Sequence, residues 1–569
     1  MLICWLRSRS SCCSPCHWKS VVVALAVCTS GARGEAEHDA TSNRGMVVSV
    51  SAPASQVGAA ILRRGGNAVD AAVATAFALA VTHPAAGNIG GGGFMLIAPP
   101  HENPIVVDYR ETAPAAATRD MFAQQQSPFG HRVVGVPGTV RGLAMAHARF
   151  GKMPWRDLLE PAIELATNGF PLEPWTARSL NELVRTSQDF PELVRVFGKD
   201  EGRGTWSPGD RFCQPDLART LRCLAEEGPN AFYIGKIAER IIAEMKSGGG
   251  LITAADLRDY TAKWRQPIHG TYRGYDVYGA PPPSSGGVCL VQMLNMLEKF
   301  DLKAQGRFSS HTLHCMAEVM RRAYLDRARY LGDPDFVRIP EHLISRDHAA
   351  RWVKSIRLDK ATPSADLAPE IVLAPERNET THFSIIDANG LAVSNTYTLE
   401  YSYGSRVVVR GAGFLLNNEM GDFNWFPGKT DRKGRIGTDA NLIAPKKRML
   451  SSQCPTILRR DGETVLITGS PGGRTIINTV LCIVINVVDF GMTIREAIDA
   501  PRMHHQWFPD RIELEAHGFV NEVIPALKQL GHEVIVRRQG DAHSIFVDTR
   551  RKLFIGAADR RIMGSAKAP

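Results

Sequence analysis

The sequence predicts a mixed α/β protein, helix-rich in its first two thirds and strand-rich in its last third. Three observations carry that expectation. Apolar residues recur at three-to-four spacing through 140–370, they alternate with polar residues after 380, and glycine, 51 in 569 residues, punctuates both regions. At 44% hydrophobic and 22% charged, the chain can bury a sizeable core, which excludes wholesale disorder. The length admits roughly three or four domains, or one large α/β body with insertions.

The first segment, 1–34, reads as an export signal. Arg7, Arg9, Lys19 and Arg33 stand without an acid, and Val21-Val22-Val23-Ala24-Leu25-Ala26-Val27-Cys28 forms a short apolar stretch followed by small residues. That stretch is far short of the roughly 20 residues a membrane-spanning helix needs. The leader accounts for +4 of the net charge of +9, and the remaining +5 spreads over 535 residues (569 − 34) without a basic run. A mixed solvated surface fits that distribution better than a nucleic-acid patch. Five of the eleven cysteines also fall in the leader. The other six are isolated, so neither a disulfide scaffold nor a zinc ribbon is expected.

After the leader, Asn67 with Asp70 three residues on marks a helix start, and the apolar run Ala71 to Val81 reads as a buried helix. Gly90-Gly91-Gly92-Gly93 then marks close backbone packing; no Lys-Ser/Thr follows, so it is not a phosphate loop. Helices are expected at 155–168, 215–226, 236–246 and 310–331. Pro281-Pro282-Pro283-Ser284-Ser285-Gly286-Gly287 reads as a stiff-then-flexible connection, and 355–379 as an exposed linker. Strands are expected at 381–387, 391–399, 406–417, 454–459 and 463–468, with Asp387-Ala388-Asn389-Gly390 as a hairpin turn. The run 475–490 follows Gly469-Ser470-Pro471-Gly472-Gly473; its length favours a helix and its β-branched composition a strand.

Several common signatures fail. Gly428-Lys429-Thr430 lacks the P-loop spacing, His532-Glu533 has no second histidine at metalloprotease spacing, and Thr468 replaces the first glycine of a nucleophile elbow. Adjacent His504 and His505 diverge and cannot share a metal. No metal and no cofactor is expected.

What remains is a set of ordered motifs: Gly65-Gly66-Asn67-Ala68-Val69-Asp70, Val107-Asp108-Tyr109-Arg110-Glu111-Thr112, Leu331-Gly332-Asp333-Pro334-Asp335-Phe336, Thr380-Thr381-His382-Phe383-Ser384, Thr396-Tyr397-Thr398-Leu399, Asn417-Asn418-Glu419-Met420-Gly421-Asp422-Phe423, Leu450-Ser451-Ser452, Ser470-Pro471-Gly472-Gly473 and Ala500-Pro501-Arg502-Met503-His504-His505. Over about 45–565 the chain resembles the γ-glutamyltranspeptidase family of N-terminal-nucleophile hydrolases. The resemblance implies a four-layer αββα sandwich and a precursor that cuts itself between Glu379 and Thr380. The products would be a large subunit, 35–379, and a small subunit, 380–569, that remain associated as a heterodimer. It further implies that freed Thr380 is the nucleophile, with its own α-amine as base, and that Thr398 hydrogen-bonds it. Gly472 and Gly473 would donate N–H groups to the oxyanion. Arg110 with Ser451 and Ser452 would hold a substrate α-carboxylate, and Asp422, Glu419 and Glu400 its ammonium. The implied substrates are glutathione and other γ-glutamyl compounds, with water, an amino acid or a peptide as acceptor. The implied site is periplasmic or extracellular.

Each residue also has a plainer reading: an Arg110–Glu111 ion pair, a turn at Ser451-Ser452, a cap at Asp422, or a tight bend at Gly472-Gly473. Glu400 stands where many members of the family carry Asn. The lid that some members place after the aspartate motif would fall in 423–450, with Lys433 at its tip in a basic stretch; lid gating is not carried over. Two other readings stay open: an acylase cleaving glutaryl or cephalosporin side chains, and an uncleaved, non-catalytic binding homologue.

Overall fold

Two fully antiparallel seven-stranded sheets form the centre of the molecule. The computed structural model describes residues 37–124, 127–368, 374–375, 380–517 and 520–569, so the expected leader and the expected scissile residue Glu379 lie outside the described residues. One sheet runs, in spatial order, Ser565–Lys567, Gly45–Ser49, Thr381–Asp387, Ala392–Thr398, Gly92–Ala98, Ile105–Asp108, Lys263–Arg265. The other runs Asp39–Ser42, Leu553–Ala558, His543–Asp548, Glu463–Thr468, Thr456–Arg460, Tyr275–Gly279, Ile268–Tyr272.

Side-chain alternation along these strands sorts the core into three sheets of contact. Met46, Val48, Phe94, Leu96, Ile386, Ile457, Ile467 and Ile545 point between the two sheets. Their neighbours Val47, Met95, Ile97, Ile385 and Val393 point outward against the helices Ala52–Arg63 and Ala68–Thr82. Leu458 and Leu466 point the opposite way, against Gly286–Leu297, Ser310–Tyr330 and Thr475–Val488. Three apolar interfaces between four layers make an αββα sandwich.

Local chemistry explains the elements nearest the site. Asn67 caps Ala68–Thr82 through a capping box with Asp70, worth about 1 kcal/mol. Every residue of that helix is buried, as its apolar run predicts. The hairpin joining Thr381–Asp387 to Ala392–Thr398 turns at Gly390, φ +86°, with Asp387 Oδ1 accepting from Asn389 N and Leu391 N. Thr475–Val488 is a helix, buried from Ile476 to Asn486: away from its ends each buried N–H bonds the carbonyl four residues back, and that outweighs β-branched propensity.

Two expectations need correction. No strand spans 406–417; a single antiparallel bridge joins Val408 to Leu415, because Arg406, Gly411 and Gly413 take left-handed φ values that break extended pairing. Pro281 to Gly287 is not a flexible connection: all seven residues are buried, Ser284 bridges to Ser451, and Gly286 begins the helix Gly286–Leu297. The expected linker 355–379 is described only in part, with a turn at Ser364–Leu367. Within 423–450, Gly434–Arg435 pairs with Ala374–Pro375, and Lys433 N donates to Asp431 Oδ1. Among the described residues no helix is long and apolar enough to cross a membrane.

Candidate active site

At one end of the sandwich the apolar interface between the sheets gives way to a polar seam. Ser394 Oγ donates to Thr468 O at 3.0 Å and accepts from Thr456 N at 3.1 Å; Ser384 Oγ donates to His543 O at 2.8 Å. His382 bridges Thr396 Oγ1 and Ser384 Oγ at 2.8 and 3.1 Å, directly under Gly469. Burial drives the His382 pKa well down, so the ring is a neutral hydrogen-bonding spacer. The seam ties Ala392–Thr398 to the end of Glu463–Thr468 and Thr381–Asp387 to His543–Asp548, and with His382 packed under Gly469 it brings Thr380 near the glycines after Thr468.

Thr380 sits nine-tenths buried immediately before its strand. It lines a narrow cavity together with Arg110, Thr398, Glu400, Asp422, Ser451, Ser452, Gln453, Gly473 and Ile476. Thus eight of the ten residues expected to carry catalysis and binding share one cavity. Glu419 joins through Arg110, and Gly472 lines a second, larger cleft that also includes Thr380.

Thr398 closes its strand, with Oγ1 accepting the Glu400 N–H at 2.8 Å and its carbonyl accepting from Asn88 Nδ2 at 2.9 Å. The glycine run beside it is sterically required. A Cβ on Gly91 would lie 2.0 Å from Thr398 O, and one on Gly93 would lie 2.4 Å from Thr396 O. Asn88 Oδ1 holds Gly91 N at 2.9 Å, fixing this approach.

Gly472 and Gly473 take φ +125° and +56°, values that suit glycine. Their carbonyls accept from Thr475 N and Ile476 N. In a trans peptide the N–H opposes the preceding C=O, so the Gly473 N–H is directed away from the helix Thr475–Val488. The helix N-terminus adds positive potential at the same point.

The other wall is a buried charge cluster. Arg110 is wholly buried; Nη1 lies 2.6 Å from Glu419 Oε2 and 3.4 Å from Glu111 Oε2, Nη2 pairs with Asp422, and Nε donates to Met449 O at 3.3 Å. Burial opposes its charge, but Glu419, Asp422 and Glu111 outweigh burial and hold the guanidinium protonated. The expected Arg110–Glu111 pair is therefore real, but it is the longest of three. Asn417 positions the acids: Oδ1 accepts from Glu419 N and Gly135 N, while Nδ2 donates to Gly90 O and Gly135 O. Four acids crowd one cation, and burial disfavours ionising all of them. Burial, then Asp422 and Glu419, pushes Glu400 well above the usual carboxylate range; burial does the same for Glu419 and takes Glu111 up to about 8. Glu400 is held at φ +78° by its N–H bond to Thr398.

Ser451 and Ser452 are backed by the buried 281–287 segment. Ser285 N and Oγ both donate to Ser451 O, at 2.8 and 2.7 Å, and Ser452 Oγ accepts from Arg327 Nη2 at 3.0 Å. Ser451 Oγ accepts from Gln453 N at 3.1 Å, which fixes its rotamer.

Sequence reading assigned no role to His382, Ser384, Ser394 or His543, whose partners depend on strand pairing across two sheets. One group among the described residues has metal-ligating types close together: His314, Glu318 and His532. Its members already have partners. His314 Nδ1 meets His532 Nε2 at 2.7 Å, and Glu318 is ion-paired with Arg321 and Arg322.

The chain is 45% identical over 540 residues to a glutathione hydrolase proenzyme of Escherichia coli K12, covering 93% of each chain. In three dimensions it resembles a cephalosporin acylase from Bacillus halodurans, with TM-score 0.83, 27% identity and coverage of 95% of this chain and 98% of that one. A γ-glutamyltranspeptidase chain from Helicobacter pylori matches with TM-score 0.54 and 43% identity, covering 55% of this chain and 92% of that one. The family profile described as Gamma-glutamyltranspeptidase matches residues 54–568, and the chain belongs to that family.

Proposed function

We propose that the protein is a γ-glutamyl transferase and glutathione hydrolase that becomes active by cutting itself between Glu379 and Thr380. The observation that carries this reading is the convergence of Thr380, Thr398, Gly473, Arg110, Asp422, Ser451 and Ser452 on one cavity. Before cleavage the Thr380 nitrogen is an amide and cannot accept a proton. Afterwards it is an amine beside its own hydroxyl and serves as base. Thr380 Oγ attacks the γ-carbonyl carbon, the carbon–nitrogen bond breaks, and the proton taken by the α-amine passes to the leaving amine. Thr398 Oγ1, whose lone pair already accepts the Glu400 N–H, keeps its own proton for Thr380. Gly472 and Gly473 stabilise the developing oxyanion. Water or an amine acceptor then resolves the ester.

The cluster around Arg110 suits the zwitterionic end of a γ-glutamyl group. Substrate exchanges partners with an existing ion pair: its α-carboxylate takes the guanidinium with Ser451 and Ser452, and its ammonium takes Asp422, Glu419 and Glu400. Charge is conserved, and no ion is left buried alone. The small and large subunits would remain joined through the hydrogen bonds of the shared sheet, in which Thr381–Asp387 pairs with Gly45–Ser49 and Ala392–Thr398 pairs with Gly92–Ala98. Export by residues 1–34 belongs to the same reading.

The likeness to an acylase favours one alternative, a glutaryl or cephalosporin acylase. A glutaryl group has no ammonium, so the buried acids would then be left without a cationic ligand. Turnover of γ-glutamyl anilide against glutaryl anilide decides between them: a faster γ-glutamyl reaction is expected, and a faster glutaryl reaction overturns the proposal.

A further inference from the structure

The helix Ser310–Tyr330 carries three buried arginines, and two of them are balanced by an acid. Arg321 and Arg322 both pair with Glu318, at 3.3 and 2.6 Å. Arg327, in the last turn, is 7% exposed, and among the described residues no carboxylate pairs with it. Its guanidinium donates instead to two hydroxyls, Nε to Ser285 Oγ at 2.9 Å and Nη2 to Ser452 Oγ at 3.0 Å. A buried cation without an anion is costly. This one stands directly behind Ser452, which lines the narrow cavity beside Thr380.

These bonds decide where the hydroxyl protons go. A serine has one proton to give, and a guanidinium can only donate. Ser452 Oγ accepts from Arg327, so its own proton is turned away from that helix. Ser285 Oγ accepts from Arg327 Nε and gives its proton to Ser451 O at 2.7 Å, while Ser285 N holds the same carbonyl at 2.8 Å. Ser451 Oγ in turn accepts from Gln453 N at 3.1 Å. Both cavity serines therefore keep a proton to offer, and both suit a ligand group rich in lone pairs. Arg110 already faces Glu419, Asp422 and Glu111, so an anion bound there gains from a further cation. Positive charge gathers behind Ser452: burial, then Arg327, lowers the pKa of Arg474, the residue after Gly473.

We propose that Arg327 is a positioning residue for the α-carboxylate of the donor: it holds Ser452 directly, and Ser451 through Ser285, as hydrogen-bond donors, and it is the second cation of the carboxylate subsite. The inference rests on the γ-glutamyl reading of that cavity. Arg327 does not itself line the cavity. It acts through the Ser452 hydroxyl, which becomes a stronger donor by accepting from a cation, and through its charge in a site of low dielectric. The substrate carboxylate in turn supplies the counter-charge to a buried guanidinium.

The test compares anilide release from γ-glutamyl anilide and from its derivative whose α-carboxylate is converted to a primary amide, which keeps the ammonium and the scissile bond. Wild-type enzyme should favour the carboxylate donor in kcat/KM. Arg327→Gln should lower that preference about tenfold through a higher KM for the carboxylate donor, the size expected when one charge-assisted link is lost. Arg327→Lys, which keeps the charge but not the two-point hold, should recover part of it. An arginine with a structural role alone would affect both donors alike, and a preference left unchanged by Arg327→Gln overturns the inference. Should that variant not fold, Ser285→Ala reads the same link. It frees Arg327 Nε and one bond to the Ser451 carbonyl, and should lower the preference about threefold; an unchanged preference there also overturns the inference. Active wild-type enzyme with no preference overturns the carboxylate subsite and this inference, but not the reaction. Wild-type enzyme that releases no anilide overturns the proposed function and this inference with it.

Discussion

Thr380, Gly473 and Glu400 each face a demand that another residue type meets poorly. A hydroxyl nucleophile that must also supply its own amine has to be the first residue of a chain. Thr380→Ala is therefore expected to abolish both processing and turnover; continued cleavage at the same bond, seen on a denaturing gel, would rule out self-processing. Gly473 needs φ +56° and an N–H turned from the helix. Gly473→Ala should lower kcat about 100- to 1000-fold with little change in KM, the loss typical of one oxyanion donor. Glu400 is buried without a cation of its own, and its folded pKa lies above its unfolded value. From about pH 4.5 upward the unfolded chain releases a proton that the folded chain keeps, so stability falls as pH rises through that window. Glu400→Gln removes the penalty. The melting temperature of the variant should gain on wild type between pH 5 and pH 8, and a constant difference would contradict the assignment. The resemblance to a known family pointed to these residues through the motifs around them, and the structure brings all three to one cavity. What His382 and Ser384 bond to was not legible, since no spacing along the chain signals which strands will lie together.

At the scale of elements, the site depends on backbones brought unusually close. The glycine run before Gly92–Ala98 lets that strand approach Ala392–Thr398, and the run itself was legible as a packing signal. What it packs against was not. Gly91→Ala must displace the Thr398 carbonyl, and overpacking of this kind costs about 1–3 kcal/mol. Thermal denaturation should show that loss together with reduced turnover, because Thr398 moves; a variant of wild-type stability would show that the contact is slack. Helices with full periodicity were predictable to within a residue or two, as Trp155–Asn168 and Lys236–Gly248 show. The expectation of a strand at 406–417 failed because alternation alone ignores φ, and Arg406, Gly411 and Gly413 cannot continue an extended ladder. The proline-serine-glycine stretch 281–287 misled for a related reason. Turn residues mark a change of direction, and here the turn is buried and supports Ser451.

For the whole molecule, the fold explains how a chain can be cut and remain one body. The Thr381–Asp387 and Ala392–Thr398 strands lie in the middle of a sheet whose neighbours, Gly45–Ser49 and Gly92–Ala98, come from the far side of the proposed cut. Ladder hydrogen bonds and three apolar interfaces hold both pieces, so cleavage costs little stability while converting an amide into a catalytic amine. The central claim is that this conversion occurs at one bond. N-terminal sequencing and intact mass of the purified protein test it most directly. The account predicts a second chain of 190 residues (569 − 379) beginning Thr380-Thr381-His382-Phe383-Ser384, present in equal amount with the larger chain. An active preparation consisting of one uncut chain, or one whose small chain begins at any other residue, would contradict it.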